Sequence, residues 1–246
     1  MMMRRLFDKH RCGLIAYVTC GDGDTVRYVE ELEGAGADAI ELGIPFSDPI
    51  ADGPVIQAAS QRALRNGTRT RDVFAIARAI RERSAIPLIA FSYLNPVMRY
   101  GAENFARDAA AAGINSLLLT DLPPEDAGDI RTAMRAHGLG TIFLLAPTST
   151  DARIKAVDRA SDGFVYYVST TGVTGARREL DPTLLTRLDE VRAKLRKPIA
   201  VGFGISRHEH YALLRDHCDA IVVGSAIVRA IAEGGNPGDV VREILG

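Results

Sequence analysis

Short apolar runs rich in Val, Ile and Leu recur along the chain at 14–19, 39–42, 87–91, 116–120, 141–145, 164–168, 198–201 and 220–223. Their spacing averages about 29 residues, and a longer stretch of helical periodicity follows each one. In one such stretch Val73, Phe74, Ala77 and Ile80 share a face, and Asp72 is placed to cap the helix start. A stripe of that kind needs a sheet to cover, and strict alternation of strand with helix makes the strands parallel. Eight repeats predict a (β/α)8 TIM barrel, with residues 1–246 as one domain. Gly34 and Gly36, then Gly113 and Gly138, fall just before the second, fourth and fifth strands, as helix-ending glycines with positive φ would. A doubly wound open sheet competes, but it would carry a GxGxxG phosphate turn after the first strand, where this chain has Thr19-Cys-Gly-Asp-Gly-Asp.

Composition narrows the functional classes. The 246 residues are 47% apolar and 25% charged, with a formal net charge of −1, so there is no basic stripe for nucleic acid. No apolar run approaches the roughly 20 residues that span a bilayer, and the first residues lack a secretory pattern, so a cytoplasmic location is expected. Cys12, Cys20 and Cys218 form an odd set without CxxC spacing, which predicts three free thiols and no zinc site. Cys20 follows the first strand, but no sequence neighbour offers it a base. His208 and His210 are two apart and face different ways on a helix, so a solvated helix is expected there and no metal site.

Barrel chemistry sits where strands end, so the segments that leave strand C-termini come first. The segment ELGIPFSDPIADGPVIQ, beginning at Glu41, starts inside the second strand and runs through a Pro-rich loop into a helix. By strand alternation Glu41 faces the same way as Ala39, and an inward carboxyl has a raised pKa suited to proton transfer. A structural carboxylate bonded to barrel backbone is the competing reading. Asp52, just before Gly53-Pro54, reads equally as a helix cap. After strands seven and eight, Val201-Gly-Phe-Gly-Ile-Ser206 and Val223-Gly-Ser-Ala-Ile-Val228 place backbone N–H groups where barrels often hold phosphate; tight turns alone would also account for these glycines.

The segment from Glu41 to Gln57 closely resembles the signature of the tryptophan synthase alpha chain family, and the likeness covers nearly the whole chain. It implies an enzyme that splits indole-3-glycerol phosphate into indole and glyceraldehyde 3-phosphate, a retro-aldol cleavage without metal or Schiff base. Glu41 resembles the acid/base that delivers a proton to indole C3, and Asp52 the carboxylate that binds the indole N–H. The likeness assigns Gly204, Gly224 and Ser225 to the phosphate and Phe203 to the indole wall, while Tyr17, Ile56 and Tyr93 suit a flat ring or serve as core filler. Tyr166-Tyr-Val-Ser-Thr-Thr-Gly-Val-Thr-Gly-Ala176 resembles the family's mobile lid, with Tyr166 near substrate, Thr174 meeting Asp52 and Gly175 offering backbone to phosphate. Here Ser-Thr-Thr-Gly-Val-Thr-Gly stands where a familiar family version has Ser-Arg-Ala-Gly-Val-Thr-Gly.

The resemblance further implies a beta subunit as partner in an alpha2-beta2 heterotetramer. Pyridoxal phosphate would sit only on that partner, leaving this chain without a cofactor. The loops 45–54 and 91–97 are the expected contact surface. Two alternatives stay open: a stand-alone lyase of the same fold, and a non-catalytic phosphate-binding barrel that regulates a partner. Retention of both Glu41 and Asp52 argues against the second.

Overall fold

Period-two alternation on nearly every strand puts one apolar set inside a ring and the other against surrounding helices. The computed structural model describes residues 7, 11–168, 182–202 and 204–246. Its strands are β1 (Gly13–Thr19), β2 (Ala39–Gly43), β3 (Leu88–Ser92), β4 (Ser116–Leu119), β5 (Gly140–Ile142), β6 (Leu144–Leu145), β7 (Val165–Val168), β8 (Ile199–Gly202) and β9 (Ala220–Val223). All pairings are parallel, in the order β5-β4-β3-β2-β1-β9-β8-β7-β6. The order follows the chain around the ring and shows no reversal, which excludes the doubly wound alternative.

The expected fifth strand at 141–145 is two short strands separated at Phe143. Phe143 N–H donates to Ser161 Oγ at 3.2 Å rather than to a strand, while its carbonyl accepts from Tyr166 N at 3.1 Å. β5 therefore pairs back to β4 and β6 forward to β7, and the sheet closes through one residue.

The helices are α1 (Thr25–Gly34), α2 (Pro54–Arg65), α3 (Thr70–Arg81), α4 (Leu94–Tyr100), α5 (Ala102–Ala111), α6 (Gly128–Ala136), α7 (Asp151–Ala160), α8 (Pro182–Arg192), α9 (His208–Leu214), α10 (Ser225–Ala232) and α11 (Pro237–Leu245). On α3 the buried residues are Val73, Phe74, Ala77 and Ile80, the expected stripe. The helix starts at Thr70, two residues before Asp72, and Asp72 caps it from the third position by accepting Arg69 N–H at 2.8 Å. Gly36, Gly113 and Gly138 adopt the expected left-handed φ of 109°, 79° and 74°, whereas Gly34 is the last residue of α1 and needs no such freedom.

Two apolar shells result. Ile15, Ala39, Ile89, Leu118, Ile142, Phe164, Ala200, Ala220 and Val222 fill the barrel's lower interior, with the Phe7 ring packed at a tilt against Phe164, centroids 5.5 Å apart. The alternate strand residues, such as Leu14, Val18, Leu42 and Leu88, meet the helices in a larger outer shell. This packed interior leaves only the two ends of the barrel for chemistry.

Candidate active site

One step of two residues beyond the interior layer, each strand presents its last inward position. These positions are Tyr17, Glu41, Phe91, Thr120, Leu144, Tyr166, Gly202 and Gly224, a polar and aromatic ring directly above the aliphatic floor. Parallel pairing sets Tyr17 beside Glu41 and Leu144 beside Tyr166.

Glu41 is 1% exposed and its Oε1 has no hydrogen-bond partner. That removes the reading of a satisfied structural carboxylate. Burial pushes its carboxyl from 4.5 up to about 8. Asp52 is 7% exposed, and it does not cap α2, whose N-cap is Gly53 without any side-chain cap bond. Its carboxylate instead accepts from the Tyr93 hydroxyl, which itself accepts Ala51 N–H at 3.0 Å. Burial raises Asp52 from 3.8 to about 6, with the Tyr93 bond holding it back. At neutral pH Glu41 is thus mostly the neutral acid and Asp52 mostly the carboxylate.

Two glycines make room for two tyrosines. A Cβ on Gly43 would stand 2.2 Å from the Tyr17 hydroxyl, and one on Gly202 would stand 2.5 Å from the Tyr166 hydroxyl. Both phenols titrate well above their ordinary range, first through burial and then through the nearby carboxylates: Asp52 leads for Tyr17, and Glu41 followed by Asp52 for Tyr166. The four side chains share one electrostatic environment. Tyr17 packs edge-on to Phe91 at 5.2 Å and clusters with Ile56, Ala59 and Val228, while Tyr93 meets Phe46 at 5.1 Å. The walls are therefore flat and apolar, and the carboxylates lie among them.

The turn after β9 completes the rim. Gly224 approaches Ile56 and Tyr17, a Cβ there falling 3.6 Å from each, and α10 starts at Ser225 with no side-chain cap on its first N–H groups. Such a terminus is suited to an anion. Gly204 takes a left-handed φ of 66° in the turn after β8.

Tyr17, Glu41, Asp52, Ile56, Tyr93, Tyr166 and Gly224 thus come together, with Gly204 and Ser225 at the same rim. Thr174, Gly175 and Phe203 lie outside the described residues. Phe91, Phe46 and Thr120, whose hydroxyl hydrogen-bonds Tyr93, line the same rim; the sequence places the segments that begin at Phe91 and Thr120 there without giving these three side chains a role. Counting two residues on from Ile89 and Leu118 finds Phe91 and Thr120; nothing local marks Phe46. Cys20 is fully buried with its thiol pushed up by burial, so it is no nucleophile. His210 is buried and accepts Ser206 N–H at 3.4 Å, which corrects the expected solvated helix: α9 packs on α11 and turns His210 inward. Among the described residues no three His, Cys, Asp or Glu side chains are grouped to hold a metal.

Fold and site define the class: a (β/α)8-barrel enzyme with two buried carboxyl groups at the C-terminal rim. Residues 3–243 match the family model for the tryptophan synthase alpha chain. The alpha chain of Solibacter usitatus is 54% identical over 236 residues, covering 93% of this chain and 88% of that one. The alpha chain of Citrifermentans bemidjiense is 49% identical over 219 residues, covering 88% and 82%. The solved tryptophan synthase a2b2 complex of Pyrococcus furiosus contains a chain 41% identical to this one, at a TM-score of 0.89 and coverage of 95% and 98%. The alpha subunit of Legionella pneumophila is 34% identical, at a TM-score of 0.89 and coverage of 99% and 95%. The chain belongs to the tryptophan synthase alpha chain family.

Proposed function

We propose that this chain, as one barrel domain, cleaves indole-3-glycerol phosphate with Glu41 as proton donor and acceptor and Asp52 as the fixed negative charge. The observation that carries the assignment is the separation of the two carboxyls, one raised to about 8 and the other to about 6. Glu41 in its neutral form gives a proton to indole C3, and positive charge develops at the ring nitrogen. Asp52 accepts the N–H and balances that charge among buried apolar walls, where the interaction is stronger than in open solvent. The Glu41 carboxylate so formed takes the proton of the C3′ hydroxyl, directly or through one water. The C3–C3′ bond breaks, its electrons restore the aromatic ring, and the C3′ oxygen becomes the aldehyde carbonyl. Glu41 ends as it began.

Tyr17, Ile56, Phe91 and Tyr93 hold the ring, Tyr166 stands over the reacting carbons, and the turns at Gly204, Gly224 and Ser225 receive the phosphate. The proton and electron balance closes within these groups, so we place no cofactor in this chain and pyridoxal phosphate on the beta subunit. That partner fits the rim. Ile50 in the loop after β2 is 87% exposed and Met98 on α4 is 58% exposed, beside a cavity of about 460 Å³ lined by Pro45, Phe46, Asn95 and Pro96. No helix among the described residues is long and apolar enough to cross a membrane.

Glu41→Gln and Asp52→Asn test the division of labour. Each lowers kcat by about 10²-fold or more while phosphate-ester binding persists. Unchanged turnover in Glu41→Gln would remove the acid/base assignment.

A further inference from the structure

At the end of the barrel opposite Glu41, two of the three thiols meet. Cys12 lies one residue before β1 and Cys218 two residues before β9, with their sulfurs 3.7 Å apart. Gly13 pairs with Ala220 and donates its N–H to the Asp219 carbonyl at 2.9 Å, which brings the segment before β1 alongside the turn that ends α9, where Cys218 donates its N–H to the Leu214 carbonyl at 3.2 Å. Sulfurs this close on adjoining segments leave only a short approach to bonding distance. The sulfurs need to close by under about 2 Å. No such partner exists for Cys20, which sits at the other end of β1.

Among the described residues the pair borders a cavity. A cavity of about 450 Å³ is lined by Cys12 and Cys218 together with Phe7, Arg11, Arg192, Tyr211 and Arg215. Arg11 is tied to Asp38 at 3.0 Å and to the Cys12 carbonyl at 3.2 Å, and Arg192 to Asp219 at 3.0 Å. These ties fix two guanidinium groups at the wall. Arg215 likewise lies 3.9 Å from Asp216, so each lining arginine is paired with a carboxylate and the wall is polar with little net charge.

We propose that Cys12 and Cys218 form an oxidisable dithiol, converted to an intramolecular disulfide by exchange with a small carboxylate-bearing disulfide of the glutathione class. Cys12, 7% exposed against 2% for Cys218, attacks first as thiolate. It forms a mixed disulfide and releases one external thiolate. Cys218 then attacks the Cys12 sulfur and expels the second. The two protons of the cysteine thiols pass to the two released thiolates, and the external disulfide is the species reduced. The hydrogen bond with Cys12 and burial hold the Cys218 thiol above its ordinary range, so exchange is slow and the reduced pair persists until oxidant is supplied. The bridge joins positions 206 apart in sequence and lies far from the catalytic rim. It therefore raises the melting temperature and leaves the lyase rate unchanged.

The test incubates the reduced full chain with glutathione disulfide, followed by intact mass, thiol counting after denaturation and a non-reducing peptide map. Expected are a loss of about 2 Da, one remaining thiol at Cys20, and a Cys12 peptide linked to a Cys218 peptide. Cys12→Ser leaves Cys218 reduced, and Cys218→Ser stops at a glutathione adduct on Cys12. Three free thiols after prolonged oxidation, or a bridge that includes Cys20, overturns the proposal. The wild-type peptide map decides even if a serine variant does not fold.

Discussion

Replacing Glu41 with Gln stabilises the folded chain while removing its proton donor. The carboxyl is raised from 4.5 to about 8 by burial, so the folded state binds this proton more tightly than the unfolded state does. Stability from the group is complete below pH 4.5 and drains away as the pH climbs toward 8. With each tenfold difference in proton affinity worth about 1.4 kcal/mol, wild type has lost about 3 kcal/mol by neutral pH and about 5 kcal/mol by pH ~9. Gln does not titrate, and Asp52 titrates alike in both proteins. The stability difference between variant and wild type therefore grows by about 4 kcal/mol between pH ~5 and ~9, nearly all of it before pH ~8. Urea titrations across that range read it as a midpoint difference that widens by about 1 M or more. A difference that stays flat would show that Glu41 is ionised and satisfied in the folded state, and would refute the reasoning.

Other consequences follow from the same geometry. The kcat/KM profile for indole release is bell-shaped, rising as Asp52 ionises near 6 and falling as Glu41 ionises near 8; a profile still rising at pH ~9 contradicts it. Tyr93→Phe removes the hydroxyl that restrains Asp52, so the acid limb moves to higher pH while the basic limb stays. Gly202→Ala drives a methyl into the Tyr166 ring and costs about 1–3 kcal/mol of stability with a fall in activity. Because the clash includes ring carbons at 2.9 and 3.0 Å, Tyr166→Ala recovers stability in the double variant where Tyr166→Phe does not; additive losses in the cycle would sink this pairing.

Strands are legible in the sequence because inward and outward faces are both apolar in a barrel, which gives Val222-type and Val223-type positions equal weight in the pattern. The break at Phe143 is not, since it depends on Ser161, a hydroxyl that arrives only when α7 has packed. Asp52 shows the limit most clearly. An Asp before Gly-Pro suits a cap and a site equally, and only Tyr93, from the loop after β3, decides between them. Glu41 is readable by parity with Ala39, but its missing partner and raised pKa emerge from the closed ring around it. His210 escapes the sequence pattern because helix periodicity says which residues share a face and not which neighbour that face meets.

The most direct test of the central claim is indole release from indole-3-glycerol phosphate by the purified chain and by Glu41→Gln, each with and without a tryptophan synthase beta subunit. Release by wild type is expected to rise when beta is added, and release by the variant to collapse under both conditions. Full activity without any response to beta would point to a stand-alone lyase. An inert wild type, even with beta bound, would contradict the account and leave a barrel that only holds phosphate.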